Sequence, residues 1–221
     1  MPQRLFPLFL KLDGRRCLVA GAGAVAESKI ASLLDTGAQI TVVAPKASAP
    51  IAQYAAEKKV RWIRRKFRPA DLRGVFLAIA ATSDPHANRI LFEEARRRGV
   101  LCNTVDDPPH CDFYFPALVQ RGDLQIAVST AGRSPAFAQR LRSELDEALD
   151  ASLGARVHRI GVLRRRILEH CAPSPERSRT LRLLAYRDAC DLAQCPAREF
   201  SADVSASPRQ LPKSAGRNGG E

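Results

Sequence analysis

A short glycine motif, Gly21-Ala-Gly-Ala-Val-Ala26, directly follows an apolar stretch of the chain. It has the GxGxxA form of the dinucleotide fingerprint, in which each small residue has its own task. Gly21 permits a tight turn, Gly23 lets the backbone approach a pyrophosphate, and Ala26 lets a helix pack closely on a strand. Backbone N–H groups at the positive end of that helix would then meet the phosphate. The motif therefore predicts a dinucleotide-binding site.

The position that usually distinguishes NAD from NADP departs from the fingerprint. An Asp or Glu is expected about twenty residues after the motif, where it binds the adenosine ribose. The chain has Ala44-Pro45-Lys46 at the end of its second predicted strand instead. Lys46 would suit the 2′-phosphate of NADP, whereas a solvated lysine, with the ribose bound by backbone groups, would suit NAD. These residues leave the choice between the two dinucleotides open.

A second candidate for chemistry is Asp106, which follows the last predicted strand of the first hundred residues. Ligands of open parallel sheets bind beyond the carboxyl ends of the strands, so a carboxylate here is placed to act as a general base. The segment Asp106-Asp107-Pro108-Pro109 is also strong turn chemistry. From the residue types alone, the turn is the favoured interpretation.

The residues that could bind a metal do not have the spacing of a metal site. His110 and Cys111 are adjacent but have no second pair at zinc-site intervals, so we interpret them as loop residues. His158 and His170 lie on different faces of one predicted helix. The six cysteines form no CxxC pair and are expected to be reduced thiols. We therefore predict no resident metal.

Strand and helix patterns alternate through the first part of the chain. Apolar or β-branched runs predict strands and amphipathic patterns predict helices: strands at 17–20, 39–44, 60–63, 75–81 and 100–104, and helices at 25–36, 48–57 and 85–98. The run 75–81 is apolar throughout, as in a central strand that is covered on both faces. This alternation predicts an α/β fold with a right-handed, doubly wound parallel sheet.

The pattern changes after residue 112. Segments 113–119 and 124–128 flank Arg121-Gly-Asp123 and predict a β-hairpin. Helices are predicted after it, at 135–149, 155–170 and 176–192. Beyond residue 196 the chain has too few apolar side chains to form a core, which predicts disorder.

Composition and charge limit the possible partners. The 221 residues are 45% hydrophobic and 26% charged, with no apolar run long enough to span a membrane. The first residues lack the apolar core of a signal peptide, so we expect a cytoplasmic location. The 35 Lys and Arg residues exceed the 23 Asp and Glu residues, giving a net charge of +12. This surplus favours a polyanion, either a nucleic acid or a small molecule with many carboxylates or phosphates.

Several motifs occur in the order typical of one family. They are Leu5-Phe-Pro-Leu-Phe-Leu10, Cys17-Leu-Val-Ala-Gly-Ala-Gly-Ala-Val-Ala-Glu-Ser-Lys29, Ala78-Ile-Ala-Ala-Thr82, Cys102-Asn-Thr-Val-Asp106 and Val128-Ser-Thr-Ala-Gly-Arg-Ser-Pro135. The chain resembles the precorrin-2 dehydrogenase/sirohydrochlorin ferrochelatase module of siroheme synthase, here in a stand-alone form. The resemblance extends from about residue 3 to residue 195.

The resemblance implies an intertwined homodimer that oxidises precorrin-2 to sirohydrochlorin with NAD⁺ as hydride acceptor. Bifunctional members also insert Fe²⁺, and the sequence leaves open whether this chain does so. The implied domains are an NAD-binding Rossmann domain at 1–112, a small α+β dimerisation domain at 113–150 and a helical domain at 151–195. The composition of residues 196–221 predicts a disordered tail after them.

The resemblance also implies roles for individual residues. Nucleotide contacts fall on Ala24, Val25, Pro45 and Lys46, and NAD becomes the expected dinucleotide. Asp106 becomes the expected catalytic carboxylate, and the neighbouring aspartate is interpreted as a turn residue.

Three further residues are candidates for substrate contact. Asn103 would either contact the nicotinamide or hold its loop, and Thr130 aligns with a serine found in some relatives. Arg133, like Arg121 and Arg140, is better placed to bind substrate carboxylates than the helical run at 164–166.

Two other functions would explain parts of this sequence. A nucleotide-sensing regulator that binds DNA would explain the charge, but residues 151–195 contain no recognisable helix-turn-helix, so nucleic acid is not the expected partner. A different NAD(P) oxidoreductase would leave the ordered motifs unexplained.

Overall fold

A five-stranded parallel sheet forms the first part of the chain in this computed structural model, which describes residues 4–185. Its strands are β1 (Arg16–Ala20), β2 (Gln39–Val43), β3 (Arg61–Ile63), β4 (Leu77–Ala80) and β5 (Leu101–Thr104). Their spatial order is β3-β2-β1-β4-β5, and all neighbours are parallel. The connections change direction between β1 and β4, the switch point at which ligands bind in such sheets. The predicted α/β fold is confirmed.

Three helices cover the two faces of the sheet: α1 (Ala24–Leu34), α2 (Ala49–Ala56) and α3 (Pro85–Arg97). Because successive side chains of a strand point to opposite faces, Cys17 and Val19 of β1 join one buried cluster, and Leu18 and Ala20 join the other. The first cluster also contains the buried faces of α1 and α2, whereas the second contains that of α3. This two-sided burial explains the uninterrupted apolar runs of the central strands.

The loop between β4 and α3 is fixed by side chains at the start of the helix. Asp84 caps α3 by accepting hydrogen bonds from the backbone amides of His86 and Ala87. The side-chain oxygen of Asn88 accepts from the hydroxyl of Thr82 at 2.6 Å, and its amide donates to the Thr82 carbonyl at 3.0 Å. This edge of the sheet therefore has a well-defined backbone.

The second part of the chain contains a β-hairpin and three helices: β6 (Ala117–Arg121), β7 (Leu124–Val128), α4 (Pro135–Ala148), α5 (Leu153–His170) and α6 (Pro175–Leu183). The predicted hairpin is confirmed, but the prediction that its first strand begins at Phe113 is wrong. The carbonyl of Phe113 accepts a hydrogen bond from the Asn103 side chain instead. Pro116 has no amide hydrogen to donate, and pairing starts at Ala117.

Within this part, α5 approaches the end of β6 closely. A Cβ on Gly154 would lie 2.5 Å from the carbonyl oxygen of Arg121. The guanidinium of Arg121 pairs with the carboxylate of Asp146 at 2.7 Å. A small residue at position 154 and one ion pair therefore define the packing here.

The described residues form two compact units, one of 4–116 with 129–135, and the other of 117–128 with 136–185. The dimerisation domain at 113–150 and the helical domain at 151–195 stay predictions. The expected tail and the end of the last predicted helix lie outside the described residues. No helix within residues 4–185 is both long enough and apolar enough to cross a membrane.

Candidate active site

The glycine loop joins the carboxyl end of β1 to α1 and is held between β2 and β4. Gly21 has a φ of +103°, and a Cβ there would lie 2.1 Å from the carbonyl oxygen of Ala81. Its N–H donates to the carbonyl of Val43 at 3.0 Å. Only glycine combines this conformation with this approach of two backbones, so the loop geometry depends on residue 21.

The next glycine has the opposite surroundings. Gly23 is the N-cap of α1, and a Cβ built on it would meet no atom of residues 4–185 within 4 Å. No side chain of the described residues caps the helix, and Ala24 and Val25 of its first turn are exposed. The first amides of a helix have no partner within the helix, so they can bind a phosphate at this open position. Ala26 is 1% exposed and packs in the core, as the fingerprint predicts.

The loop after β2 is tied to the glycine loop. The N–H of Ser48 donates to the carbonyl of Ala22 at 3.0 Å, and its hydroxyl donates to the Glu27 carboxylate at 3.1 Å. Pro45 and Lys46 are exposed, and Lys46 has no ion pair with any residue from 4 to 185. The predicted nucleotide contacts are thus brought together at the ends of β1 and β2. The single-residue assignments stay predictions.

Asp106 lies beyond the end of β5, at the same edge of the sheet as the glycine loop. It is exposed and has a φ of +58°, in the left-handed region that non-glycine residues seldom adopt. Its carboxylate forms no hydrogen bond or ion pair with the described part of the chain. Uncommon backbone conformations of this kind cluster at functional sites. The geometry therefore leaves this carboxylate available to a ligand.

The neighbouring aspartate stabilises the turn. Oδ2 of Asp107 lies 2.7 Å from Nδ1 of His110, within a short 3₁₀ helix at Pro108–His110. The N–H of Asp107 donates to the carbonyl of Thr104 at 3.2 Å. No group of three potential metal ligands occurs among residues 4–185. That His110 and Cys111 bind no metal stays a prediction.

Asn103 holds the segment that follows this turn. The side chain is 7% exposed, and its amide donates to the Phe113 carbonyl at 2.8 Å and to Sγ of Cys111 at 3.3 Å. These contacts support the loop-holding interpretation. A contact between Asn103 and a nicotinamide ring stays a prediction.

Thr130 and Arg133 lie in one tight loop. The Thr130 hydroxyl donates to the Ser134 carbonyl at 3.0 Å and accepts from its N–H at 3.1 Å. The N–H of Arg133 donates to the Thr130 carbonyl at 3.0 Å, and its guanidinium is exposed without an ion pair to the described residues. Of the other candidate arginines, Arg121 forms an ion pair with Asp146, and Arg140 forms one with Glu144. Arg133 is the one of these three that remains available for an anion.

A residue that the sequence interpretation did not select, Lys29, also reaches this edge. Its Nζ lies 4.3 Å from the centroid of the Phe115 ring. Burial lowers the pKa of Lys29, and the negative charge of Asp106 acts in the opposite direction. The sequence does contain a signal for this position. Lys29 has the helical spacing that places it on the same face of α1 as the buried residues Ala26, Ile30 and Leu33.

Comparisons with known proteins identify the family. An NAD(P)-binding family model matches residues 8–117, and the model of the sirohaem biosynthesis protein central region matches residues 121–148. Siroheme synthase 3 of Aeromonas hydrophila is 36% identical over 215 residues, which are 97% of this chain and 46% of that protein. A siroheme synthase of Neisseria meningitidis serogroup C is 46% identical over 149 residues, 67% of this chain and 31% of the relative. The chain thus spans less than half the length of these relatives.

A solved structure adds a match over nearly the whole of the compared chain. The protein named SirC, precorrin-2 dehydrogenase, superposes with a TM-score of 0.74 at 28% sequence identity, covering 89% of this chain and 97% of SirC. The sequence motifs, the two family models and this structural match agree. The chain therefore belongs to the sirohaem-biosynthesis family that contains the siroheme synthases and the precorrin-2 dehydrogenase SirC.

Proposed function

We propose that this protein oxidises precorrin-2 to sirohydrochlorin with NAD⁺ as the hydride acceptor. The observation that carries the proposal is the available carboxylate of Asp106, at the same sheet edge as a glycine loop that suits a dinucleotide. The extensive match to SirC, whose name states this activity, supports the choice of reaction.

The glycine loop would bind the dinucleotide. Gly23 leaves open the space that a pyrophosphate needs, and the amides of Ala24 and Val25 would bind it at the positive end of α1. Pro45 and Lys46 would lie along the adenosine ribose. When bound, NAD⁺ supplies the nicotinamide ring that accepts a hydride.

Asp106 would supply the matching proton acceptor. Oxidation of the macrocycle removes one hydride and one proton, and the proton needs a base within hydrogen-bond reach. The carboxylate of Asp106 takes this proton and returns it to solvent. The contacts of Asp107 with His110, and of Asn103 with Phe113, hold the turn that presents it.

The substrate and assembly complete the proposal. Precorrin-2 is a polycarboxylate, and the net charge of +12 and the available guanidinium of Arg133 suit such a ligand. Thr130 and Asn103 would position the loops around it. We also propose a cytoplasmic homodimer, as the family resemblance implies.

Fe²⁺ insertion is proposed as a second reaction at the same carboxylate. Metal insertion must remove protons from two pyrrole nitrogens of sirohydrochlorin, and Asp106 can accept them in turn. Fe²⁺ enters this scheme as a substrate.

The test uses the full chain with precorrin-2 and either NAD⁺ or NADP⁺, followed by NADH or NADPH absorbance and by the spectrum of the tetrapyrrole. We expect sirohydrochlorin to form together with an equal amount of NADH, and more slowly with NADP⁺. Subsequent addition of Fe²⁺ tests insertion separately from oxidation. A folded protein that gives no precorrin-2-dependent NADH would refute the proposed oxidation.

A further inference from the structure

Lys29 occupies an unusual position for a lysine. It lies on α1 among buried residues (Ala26, Ile30 and Leu33) and is itself partly buried. Its ammonium group forms no hydrogen bond or ion pair with any residue of the described range 4–185. Burial disfavours the charged form of a lysine, so an anionic group of a ligand would stabilise this partly buried ammonium group.

An aromatic contact holds the side chain of Lys29. Its Nζ lies 4.3 Å from the centroid of Phe115, a cation–π contact. The ring of Phe115 meets that of Phe113 edge-on at 5.5 Å, and the Phe113 carbonyl accepts the hydrogen bond from Asn103 of β5. The lysine therefore contacts an aromatic pair that is hydrogen-bonded to β5, the strand that Asp106 follows.

Lys29 and Asp106 are close enough to influence each other without being in contact. The negative charge of Asp106 favours the charged form of Lys29, which opposes the effect of burial on its pKa. Because the two groups form no ion pair, each keeps its hydrogen-bonding capacity for a third group. A ligand at this edge would meet a fixed cation beside an available carboxylate.

The distance along α1 indicates which ligand that is. Lys29 follows the N-cap Gly23 by six residues, which places it about 9 Å along the helix from the phosphate-binding end. The pyrophosphate is expected at the free amides of the first turn, to which Lys29 does not belong. The remaining anionic groups expected at this edge are those of the polycarboxylate substrate.

We propose that Lys29 is a substrate-binding residue, which pairs with a carboxylate of the tetrapyrrole and thereby holds the macrocycle against Asp106. This inference rests on the proposed function. The Phe115 ring keeps the ammonium group in place before the substrate arrives, so little side-chain order must be created on binding.

The experiment compares Lys29→Met, Lys29→Arg and the matched control Lys59→Met in the full chain. Lys59 is an exposed lysine that pairs with Glu57 and lies two residues before β3. For each protein we measure kcat and KM with precorrin-2, the Kd for NAD⁺ and the melting temperature. Sirohydrochlorin affinity, followed by fluorescence quenching, gives a reading that does not depend on turnover.

We expect Lys29→Met to raise KM and to weaken sirohydrochlorin binding by roughly ten- to hundredfold, the scale of one lost charge-assisted hydrogen bond. The Kd of Lys29→Met for NAD⁺ should stay near that of the parent. Lys29→Arg should recover most of the sirohydrochlorin affinity, and Lys59→Met should resemble the parent in every measurement. If Lys29→Met proves unstable, Lys29→Gln, which keeps much of the stem, replaces it with the same expectations.

Three results would overturn the inference: parent-like KM and sirohydrochlorin affinity, a fall in kcat alone, or weaker NAD⁺ binding as the main effect. These differ from failure of the proposed function, in which the unsubstituted protein itself would not oxidise precorrin-2.

Discussion

Oδ2 of Asp107 lies 2.7 Å from Nδ1 of His110, and this contact leaves the preceding Asp106 as the available carboxylate of the turn. The two aspartates are adjacent in sequence but have different surroundings. Asp106 is exposed with a φ of +58°, whereas the Asp107 side chain anchors the 3₁₀ helix. Proton transfer and turn stability can therefore be tested separately by substituting one aspartate at a time.

The two glycines of the loop should differ in what they control. Gly21→Ala would place a Cβ 2.1 Å from the carbonyl of Ala81 in a left-handed conformation, so we expect it to lower the free energy of unfolding by roughly 2–5 kcal/mol. A Cβ at position 23 meets no atom of residues 4–185 within 4 Å, so Gly23→Val should leave folding nearly unchanged while abolishing NAD⁺ binding. Urea denaturation and calorimetric titration measure the two effects. Normal NAD⁺ binding by folded Gly23→Val protein would be incompatible with a pyrophosphate at this position.

Loss of the Asp107 side chain should affect stability first. Asp107→Ala removes the partner of His110, and we expect the free energy of unfolding to fall by about 1 kcal/mol. Differential scanning calorimetry of this variant and of His110→Ala checks the prediction, and the double variant should show that the two losses are not additive. Fully additive losses would mean that this contact contributes nothing.

Two buried thiols should make stability depend on pH in alkaline solution. Burial raises the pKa of Cys17 from 9.0 to about 11 and that of Cys102 to about 12. Because the unfolded thiols ionise near 9, their contribution to stability is complete below pH 9 and is lost as the pH rises toward 11 and 12. In that window each thiol should lower the free energy of unfolding by roughly 1.4 kcal/mol per pH unit.

Urea unfolding at successive pH values measures this slope. The control is the Cys17→Ala, Cys102→Ala double variant, which retains the other titrating groups. We expect a shallower slope in the control, and equal slopes in both proteins would contradict the assignment.

The sheet was predictable because both of its signals are local. The sheet is indicated by the apolar run at 75–81 and by the strand–glycine–helix motif, which are both typical of a parallel sheet covered on two faces. The structure confirms such a sheet. The start of β6 was mispredicted because it depends on a distant partner, the Asn103 side chain, which binds the carbonyl of Phe113. Sequence pattern alone does not reveal which side chain will bind a given carbonyl.

The site was predictable in part for the same reason. Asp106 could be placed by its position after a strand. Its left-handed backbone, and the lack of a bonding partner for its carboxylate among residues 4–185, emerged only from the folded turn. Lys29 was overlooked, since its significance depends on Phe115, which lies 86 positions further along the chain. Its position on the buried face of α1 was a readable signal that a charge would be held there.

The most direct test of the proposed chemistry compares the dehydrogenase turnover of Asp106→Asn with that of Asp107→Asn, using precorrin-2 and NAD⁺ at saturating concentrations. Asn keeps the shape of either side chain, but at position 106 it removes the base. We expect Asp106→Asn to turn over precorrin-2 about a hundredfold or more slowly than the parent, with parent-like NAD⁺ affinity. Asp107→Asn should stay within about fivefold of the parent, the scale of one weakened hydrogen bond. Parent-like turnover by Asp106→Asn would contradict the account and leave Asp106 as a turn residue only.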